Sequence, residues 1–172
     1  PTSFCQNLFT YHLDNLYFLN TKGQIFLIKK ELLAKRNFEL YQSCVETGTN
    51  QFSLTDFVRF QNLINIHVIN NKSALAVISL IKDELEIYFI GVKKDLRNQG
   101  IGKQFLCDII KLAKDRGATS IILEVNKKNK IALKMYKSLN FEGYGTRKNY
   151  YYSPDGRHAD ALIMQLKLNT VT

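Results

Sequence analysis

The chain contains no tryptophan, only three cysteines (Cys5, Cys44 and Cys107) and only three histidines (His12, His67 and His158) among its 172 residues. An odd number of cysteines with no Cys-x-x-Cys pair argues against a disulfide framework. The histidines lie far apart in sequence, so no metal centre is expected, and each reads as a surface or core residue. No apolar run approaches the length needed to cross a bilayer. The N-terminal stretch lacks the basic region and long apolar segment of a signal peptide. The expected location is therefore the cytoplasm, without membrane association. Repeats, low-complexity tracts and a linker are also missing, which leaves one domain of ordinary size with enough apolar residues for a core.

What is present in excess is positive charge, a net +9. A basic surface can attract a phosphorylated ligand or a nucleic acid. The same number also arises from a Lys-rich composition, and the basic residues are scattered rather than gathered in one run. Nucleic-acid binding is not expected, and the chain is expected to be a monomer.

Hydrophobic periodicity divides the chain into elements. Residues 1–22 hold Phe4, Phe9, Tyr11, Tyr17 and Phe18 with no clear period, and fit either a strand or a helix. Gln24–Ile28 reads as a strand. Leu33, Phe38, Tyr41 and Val45 follow a helical spacing that Gly48 ends. Ser53 and Asp56 suit the first turn of a short second helix. Three strand-like runs follow, Leu63–Ile69, Ala74–Ile81 and Leu85–Val92, separated by short polar breaks that imply an antiparallel meander. Ile101, Phe105, Ile109, Leu112 and Ala113 then mark an amphipathic helix stopped at Gly117. Thr119–Val125 is a buried strand, so the strand–helix–strand passage requires a parallel pair. A helix over Lys130–Leu139 and strands near Phe141–Arg147 and Ala161–Leu168 complete the order. The expected class is α+β, a mixed sheet of about seven strands flanked by about four helices.

Between the third meander strand and the amphipathic helix lies Arg97-Asn98-Gln99-Gly100-Ile101-Gly102-Lys103. Glycines let the backbone approach a ligand closely. The first amides of a helix have no intrahelical partner and, with the helix dipole, form an anion site. Arg97 and Lys103 add charge. The segment lacks the Lys-Ser/Thr ending of a Walker loop, and Phe105 stands where a dinucleotide fingerprint needs its third glycine. On residues alone, it is either a phosphate site or merely a tight turn.

These residues resemble the Arg/Gln-x-x-Gly-x-Gly/Ala motif of the GCN5-related N-acetyltransferase (GNAT) family. The likeness continues through Leu123-Glu124-Val125, Asn129, Ala132 and Met135-Tyr136, which is similar to the corresponding segment of protein Nα-acetyltransferases, and through Leu139-Asn140-Phe141, with Asn140 where a glycine is usual. Arg147-Lys148-Asn149-Tyr150-Tyr151, Asp155-Gly156 and Asp160–Met164 resemble the end of the bacterial ribosomal-protein-alanine acetyltransferases. The likeness is strong from about Glu86 to Leu168 and does not cover residues 1–22. It implies an N-terminal extension over 1–22 and an acetyltransferase domain over 23–168, with the GNAT fold.

The resemblance implies acetyl-CoA as co-substrate and no metal. The amides from Arg97 to Lys103 would hold the pyrophosphate, and the Ile90-Gly91-Val92 edge would bond the pantetheine and the oxyanion. Asn129 would contact the cofactor; read alone, it is a helix N-cap. Glu124 would be the general base, in an otherwise apolar strand where desolvation raises a carboxyl's pKa; read alone, it is an ordinary strand-end Glu sharing a face with Ile122 and Asn126. Tyr136 would be the general acid, and its residue-level alternative is a core aromatic. Tyr150 and Tyr151 would wall the substrate peptide, or simply pack on their strand. The implied reaction acetylates a protein N-terminus, an Ala of a small-subunit ribosomal protein foremost. A small amine as acceptor, and a non-catalytic cofactor-sensing or ribosome-binding module, are the alternatives.

Overall fold

Apolar, β-branched residues build the central sheet, and the computed structural model describes residues 16–19, 25–28, 30–45, 52–152 and 158–168 of the chain. Six strands form this sheet: β3 (Ile66–Asn70), β4 (Ala74–Ile81), β5 (Glu84–Val92), β6 (Ser120–Asn126), β8 (His158–Lys167) and β7 (Glu142–Tyr152), in that spatial order. The first three form the expected antiparallel meander. β5 and β6 pair in parallel across the helical crossover, as strand–helix–strand order requires. β8 inserts antiparallel between β6 and the edge strand β7.

The sheet has six strands rather than about seven, because the run expected at Gln24–Ile28 does not join it. That run is β2 (Ile25–Ile28), paired antiparallel with β1 (Leu16–Leu19) in a separate two-stranded sheet. The boundary drawn after residue 22 thus lies between two paired strands. Phe4, Phe9, Tyr11 and Gly48 lie outside the described residues.

Four helices cover the two faces. α1 (Lys30–Cys44) and α2 (Leu54–Phe60) cover one, and α3 (Ile101–Asp115) and α4 (Lys130–Lys137) the other. α2 begins with a capping box in which the Ser53 hydroxyl accepts from the Asp56 N–H and the Asp56 carboxylate accepts from the Ser53 N–H. α3 ends at Gly117, φ +76°, where the Ala118 N–H reaches back to the Ala113 carbonyl at 2.9 Å. After α4, Asn140 takes the same left-handed role at φ +65°, a conformation Asn tolerates better than most residues. This accounts for an Asn at a position where a glycine is usual.

Alternation assigns the strand residues to the two cores. Ile121, Leu123 and Val125 of β6 pack with Phe105, Leu106 and Ile109 of α3, and Glu124 points to the opposite face. On that face, Tyr41, Phe57, Val68, Leu75 and Val77 form a second core, with Phe38, Phe52, Phe60 and Phe89 around it.

In β5 the alternation slips. Val77 pairs with Phe89 but Ile78 pairs with Ile87, so Tyr88 is an extra residue in the strand. Before the bulge, Leu85 and Ile87 face α3. Beyond it, Ile90 and Val92 pack against that core, while Phe89 turns to the other face and meets the Tyr41 ring at 4.8 Å. The parallel ladder to β6 ends at Ile87↔Leu123, immediately before the bulge. Phe89–Val92 and Glu124–Asn126 therefore run on as two diverging strand ends.

Gly91 permits the close approach of β5 to α1. A Cβ there would stand 2.8 Å from the Cys44 Cβ and 2.6 Å from the Phe89 ring. Gly91→Ala should destabilise the fold by about 1–3 kcal/mol through overpacking, lowering the thermal midpoint by about 2–10 °C. Calorimetry or circular dichroism melting checks this, and an unchanged midpoint would contradict the packing described.

Candidate functional site

The diverging ends of β5 and β6 open at the carboxyl edge of the parallel pair, the usual ligand position in sheets of this kind. Three elements converge there: the loop from Val92 into α3, the start of α4, and the end of β7.

The loop carries the glycine turn. Lys93 N–H bonds the Ser73 carbonyl at 2.9 Å, and a single 3-10 turn follows over Lys94–Leu96. Asn98 (φ +61°) and Gly100 (φ +79°) then take left-handed conformations that reverse the chain into α3. The Gln104 N–H bonds the Gly100 carbonyl at 3.0 Å, so the amides of Ile101, Gly102 and Lys103 lie ahead of the first intrahelical bond. Gln99, Gly100 and Lys103 are exposed. The turn thus presents a helix start and its positive dipole end to the opening.

Arg97 belongs to the turn but is not committed to that charge. Its Nη2 donates to the Cys44 carbonyl at 2.6 Å and its Nε to the Val92 carbonyl at 3.4 Å. It braces the loop against the end of α1. Burial pushes the Cys44 thiol pKa up, which keeps it protonated and apolar within this brace.

Asn129 is the N-cap of α4, its Oδ1 accepting from the Ala132 N–H at 3.0 Å. About two turns on, Tyr136 is 5 % exposed and packs on Phe141 at 5.7 Å. Burial first, and the nearby Tyr151 second, raise its phenol pKa far above the ordinary value. The start of α3 touches the same helix: a Cβ on Gly102 would stand 3.6 Å from the Met135 sulfur.

Glu124 sits on β6 just past the last ladder pair. Its carboxylate meets the Arg147 Nε at 2.9 Å, and the guanidinium lies 5.4 Å over the Tyr150 ring. Tyr150 and Tyr151 pack edge-on at 5.2 Å. The Tyr151 hydroxyl approaches the Glu124 carbonyl at 3.5 Å, the outer limit of a hydrogen bond. Burial, then the Glu124 charge, then Tyr150, push the Tyr151 phenol up to about 12. Tyr150 is shifted the same way, by burial and then by its contact with Glu124.

β7 delivers these side chains through an interruption in its pairing. Arg147 pairs with Ala161 and Tyr151 with Ala159, so Lys148, Asn149 and Tyr150 stand opposite Asp160 alone. Asp160 anchors this excess. Its Oδ1 accepts from the Asn149 N–H and its Oδ2 from the Lys127 ammonium, each at 3.1 Å. Asn149, at φ +53°, supplies the reversal.

The structure therefore brings Glu124, Tyr136, Tyr150 and Tyr151 to one end of the sheet, with Ile90–Val92, the Asn98–Lys103 turn and Asn129 around the same opening. Arg147 and Asp160 stand in the sequence only as parts of a longer likeness. Their pairing depends on contacts across β8, and the Arg147–Glu124 spacing carries no local signal. Among the described residues, no three His, Cys, Asp or Glu side chains gather as a metal site, and no helix is long and apolar enough to cross a membrane.

A sequence model of the acetyltransferase (GNAT) family matches residues 35–141. The [ribosomal protein bS18]-alanine N-acetyltransferase of Escherichia coli K12 is 36 % identical over 97 residues, 56 % of this chain and 65 % of that enzyme. The protein of the same name from Haemophilus ducreyi is 36 % identical over 99 residues, covering 58 % and 68 %. The chain thus spans about two thirds of the length of the curated relatives it matches. The crystal structure of the ribosomal-protein-S18-alanine N-acetyltransferase from Escherichia coli matches with a TM-score of 0.70 at 26 % identity, over 92 % of this chain and 96 % of that one.

Two predictions follow from this geometry. Gly100→Ala forces a side chain into the left-handed region and should cost about 1–2 kcal/mol. Gly102→Ala meets only ordinary contacts, 3.4 Å from Val92 Cγ2 and 3.6 Å from Met135 Sδ, and should melt close to wild type. Equal melting temperatures for the two variants would refute the difference. The second concerns Asp160, whose carboxyl is held below the usual carboxylate range by the Asn149 N–H first and the Lys127 ammonium second. A lowered folded-state pKa contributes stability that is full above the unfolded value, near 3.9, and is lost as pH falls through the folded value. Between pH 6 and pH 3 the wild type should lose more urea stability than Asp160→Asn; parallel curves would remove the anchor.

Proposed function

We propose that this chain, which belongs to the acetyltransferase (GNAT) family, transfers an acetyl group from acetyl-CoA to the α-amino group of a protein N-terminus. Members of this family take acetyl-CoA as the acetyl donor, and the activated thioester is the chemistry it supplies when bound. The observation that carries the reading is the opening between β5 and β6, which joins a helix start, its first amides ahead of the intrahelical bonds, to a carboxylate and a buried phenol. The acceptor assignment, an N-terminal Ala of a small-subunit ribosomal protein, is supported by the names of the relatives.

The residues divide the work as follows. The Gly100–Lys103 amides bind the pyrophosphate at the positive end of α3. The Ile90–Val92 edge, beyond the ladder to β6, bonds the extended pantetheine as a strand partner would. One of its N–H groups stabilises the oxyanion as the amine nitrogen attacks the thioester carbon. Asn129 holds the start of α4 in place beside the cofactor. An α-ammonium has a pKa near 7.7–8.0 and must lose a proton before it attacks. Glu124 takes that proton, directly or through a water. As the carbon–sulfur bond breaks, Tyr136 donates to the departing thiolate. Its raised pKa keeps the phenol protonated at neutral pH, so the proton is in place when the sulfur draws it off. Tyr150 and Tyr151 wall the acceptor peptide.

The test is an assay of thiol release with acetyl-CoA and peptides beginning Ala-, Ser- or Met-. Release is expected, fastest with Ala. Glu124→Gln and Tyr136→Phe should each lower turnover by about 10²–10⁴, the usual span for acid–base groups, with acetyl-CoA binding retained by calorimetry. Absence of release with every peptide refutes the reading, and full turnover in either variant refutes that residue's role.

A further inference from the structure

Glu124 does not meet the opening bare. Its side chain is 17 % exposed, and the cation that pairs with it, Arg147, is 55 % exposed. The pair is thus lopsided: a carboxylate within, an exposed guanidinium without. Arg147 stands at the lip of the stretch where three β7 residues face one β8 residue, and its guanidinium already lies over the Tyr150 ring while it meets Glu124. We propose that Arg147 is a displaceable counter-ion for Glu124: its guanidinium occupies the place of the acceptor's ammonium, and the acceptor enters by exchanging for it. This rests on the acetyl-transfer reading above, in which Glu124 receives a proton from the amine.

The exchange follows from charge. A carboxylate sunk this far is costly without a cation, so the free protein needs Arg147 where it is. An incoming ammonium brings the same charge to the same oxygens, and the two cannot share them. The swap leaves the count of charges at Glu124 unchanged, so it has little electrostatic penalty. A neutral nucleophile offers no such replacement, and it meets the guanidinium still in place. Arg147 therefore selects protonated amines as acceptors. The Tyr150 ring retains the displaced guanidinium by cation–π attraction, close enough to return when the acetylated, now neutral product leaves. Arg147 acts through Glu124 and is a positioning residue, not a catalytic one.

Kinetics on the full chain with acetyl-CoA and an Ala-starting peptide test this. Arg147→Gln removes the competing cation, so the peptide KM should fall about two- to fivefold, the range of a part-exposed ion pair. The acetyl-CoA KM should stay unchanged, and Arg147→Lys should restore the wild-type peptide KM. Loss of a merely structural residue would raise KM or lower kcat instead. A peptide KM that is unchanged or raised in Arg147→Gln overturns the proposal. A second measurement needs no turnover: the side-chain Nε–H nitrogen-15 resonance of Arg147, identified by its loss in Arg147→Gln. Titrating alaninamide into the protein with CoA should move it toward its position in Glu124→Gln, and a resonance indifferent to alaninamide overturns the exchange. Failure of the wild type to acetylate any amine sinks the acetyl-transfer reading separately, so the two failures are distinguishable.

Discussion

One extra residue in β5 governs this molecule's working end. Tyr88 adds a step to the strand, so Ile87 and Ile90 share a face where plain alternation would separate them. The ladder to β6 stops at that step. Phe89, released to the other face, is taken up by the Tyr41 ring, and Gly91 lets the strand close on Cys44. The second half of β5 is thus committed to α1 rather than to β6. A parallel sheet would otherwise zip to its end and leave no backbone edge for a ligand. Everything at the opening, from the helix start at Gly100 to the carboxylate of Glu124, is useful only because the two strands part there.

That step was hidden in the sequence for a simple reason. From Ile87 to Ile90 every side chain is aliphatic or aromatic and none is charged, so the alternation that reveals strand phase has little to alternate with. Where polarity alternates, strand phase is legible: Ile121, Leu123 and Val125 face the α3–α4 core, and Glu124 the opposite side of the sheet. Local turn chemistry was also legible. Ser53 with Asp56, Gly100 and Gly117 each mark an element boundary. The Gln24–Ile28 run was legible as a strand but not as a partner of Leu16–Leu19, because pairing choice is not a local property. The same limit hid the destination of the Arg97 side chain, which a motif reading assigns to an anion and the structure turns toward the Cys44 carbonyl.

The charges at the opening are arranged by depth. Backbone amides at the start of α3 form its fixed positive end, and Arg97 stiffens the loop that carries them. Glu124 lies deeper, with Arg147 over it toward solvent. Phenols fill the space between: Tyr136 in the α3–α4 core, Tyr151 at the Glu124 carbonyl, Tyr150 under the guanidinium. Burial raises all three phenol pKa values, so this layer donates hydrogen bonds without adding charge of its own.

The interruption in β7 separates two kinds of change. β8 is clasped by β6 through an unbroken register from Ser120↔Lys167 to Asn126↔Ala161, and that register sets the core. Lys148–Tyr150 hang opposite a single β8 residue, held by the Asp160 carboxylate at Asn149 and by the contacts of Tyr150 with Glu124 and Arg147. Lengthening, shortening or rewriting those three positions leaves every β6–β8 pair where it is. The β7 wall of the opening can therefore be retailored while the Gly100 turn and the β5 edge stay untouched, a division of labour that lets one scaffold be refitted without being refolded.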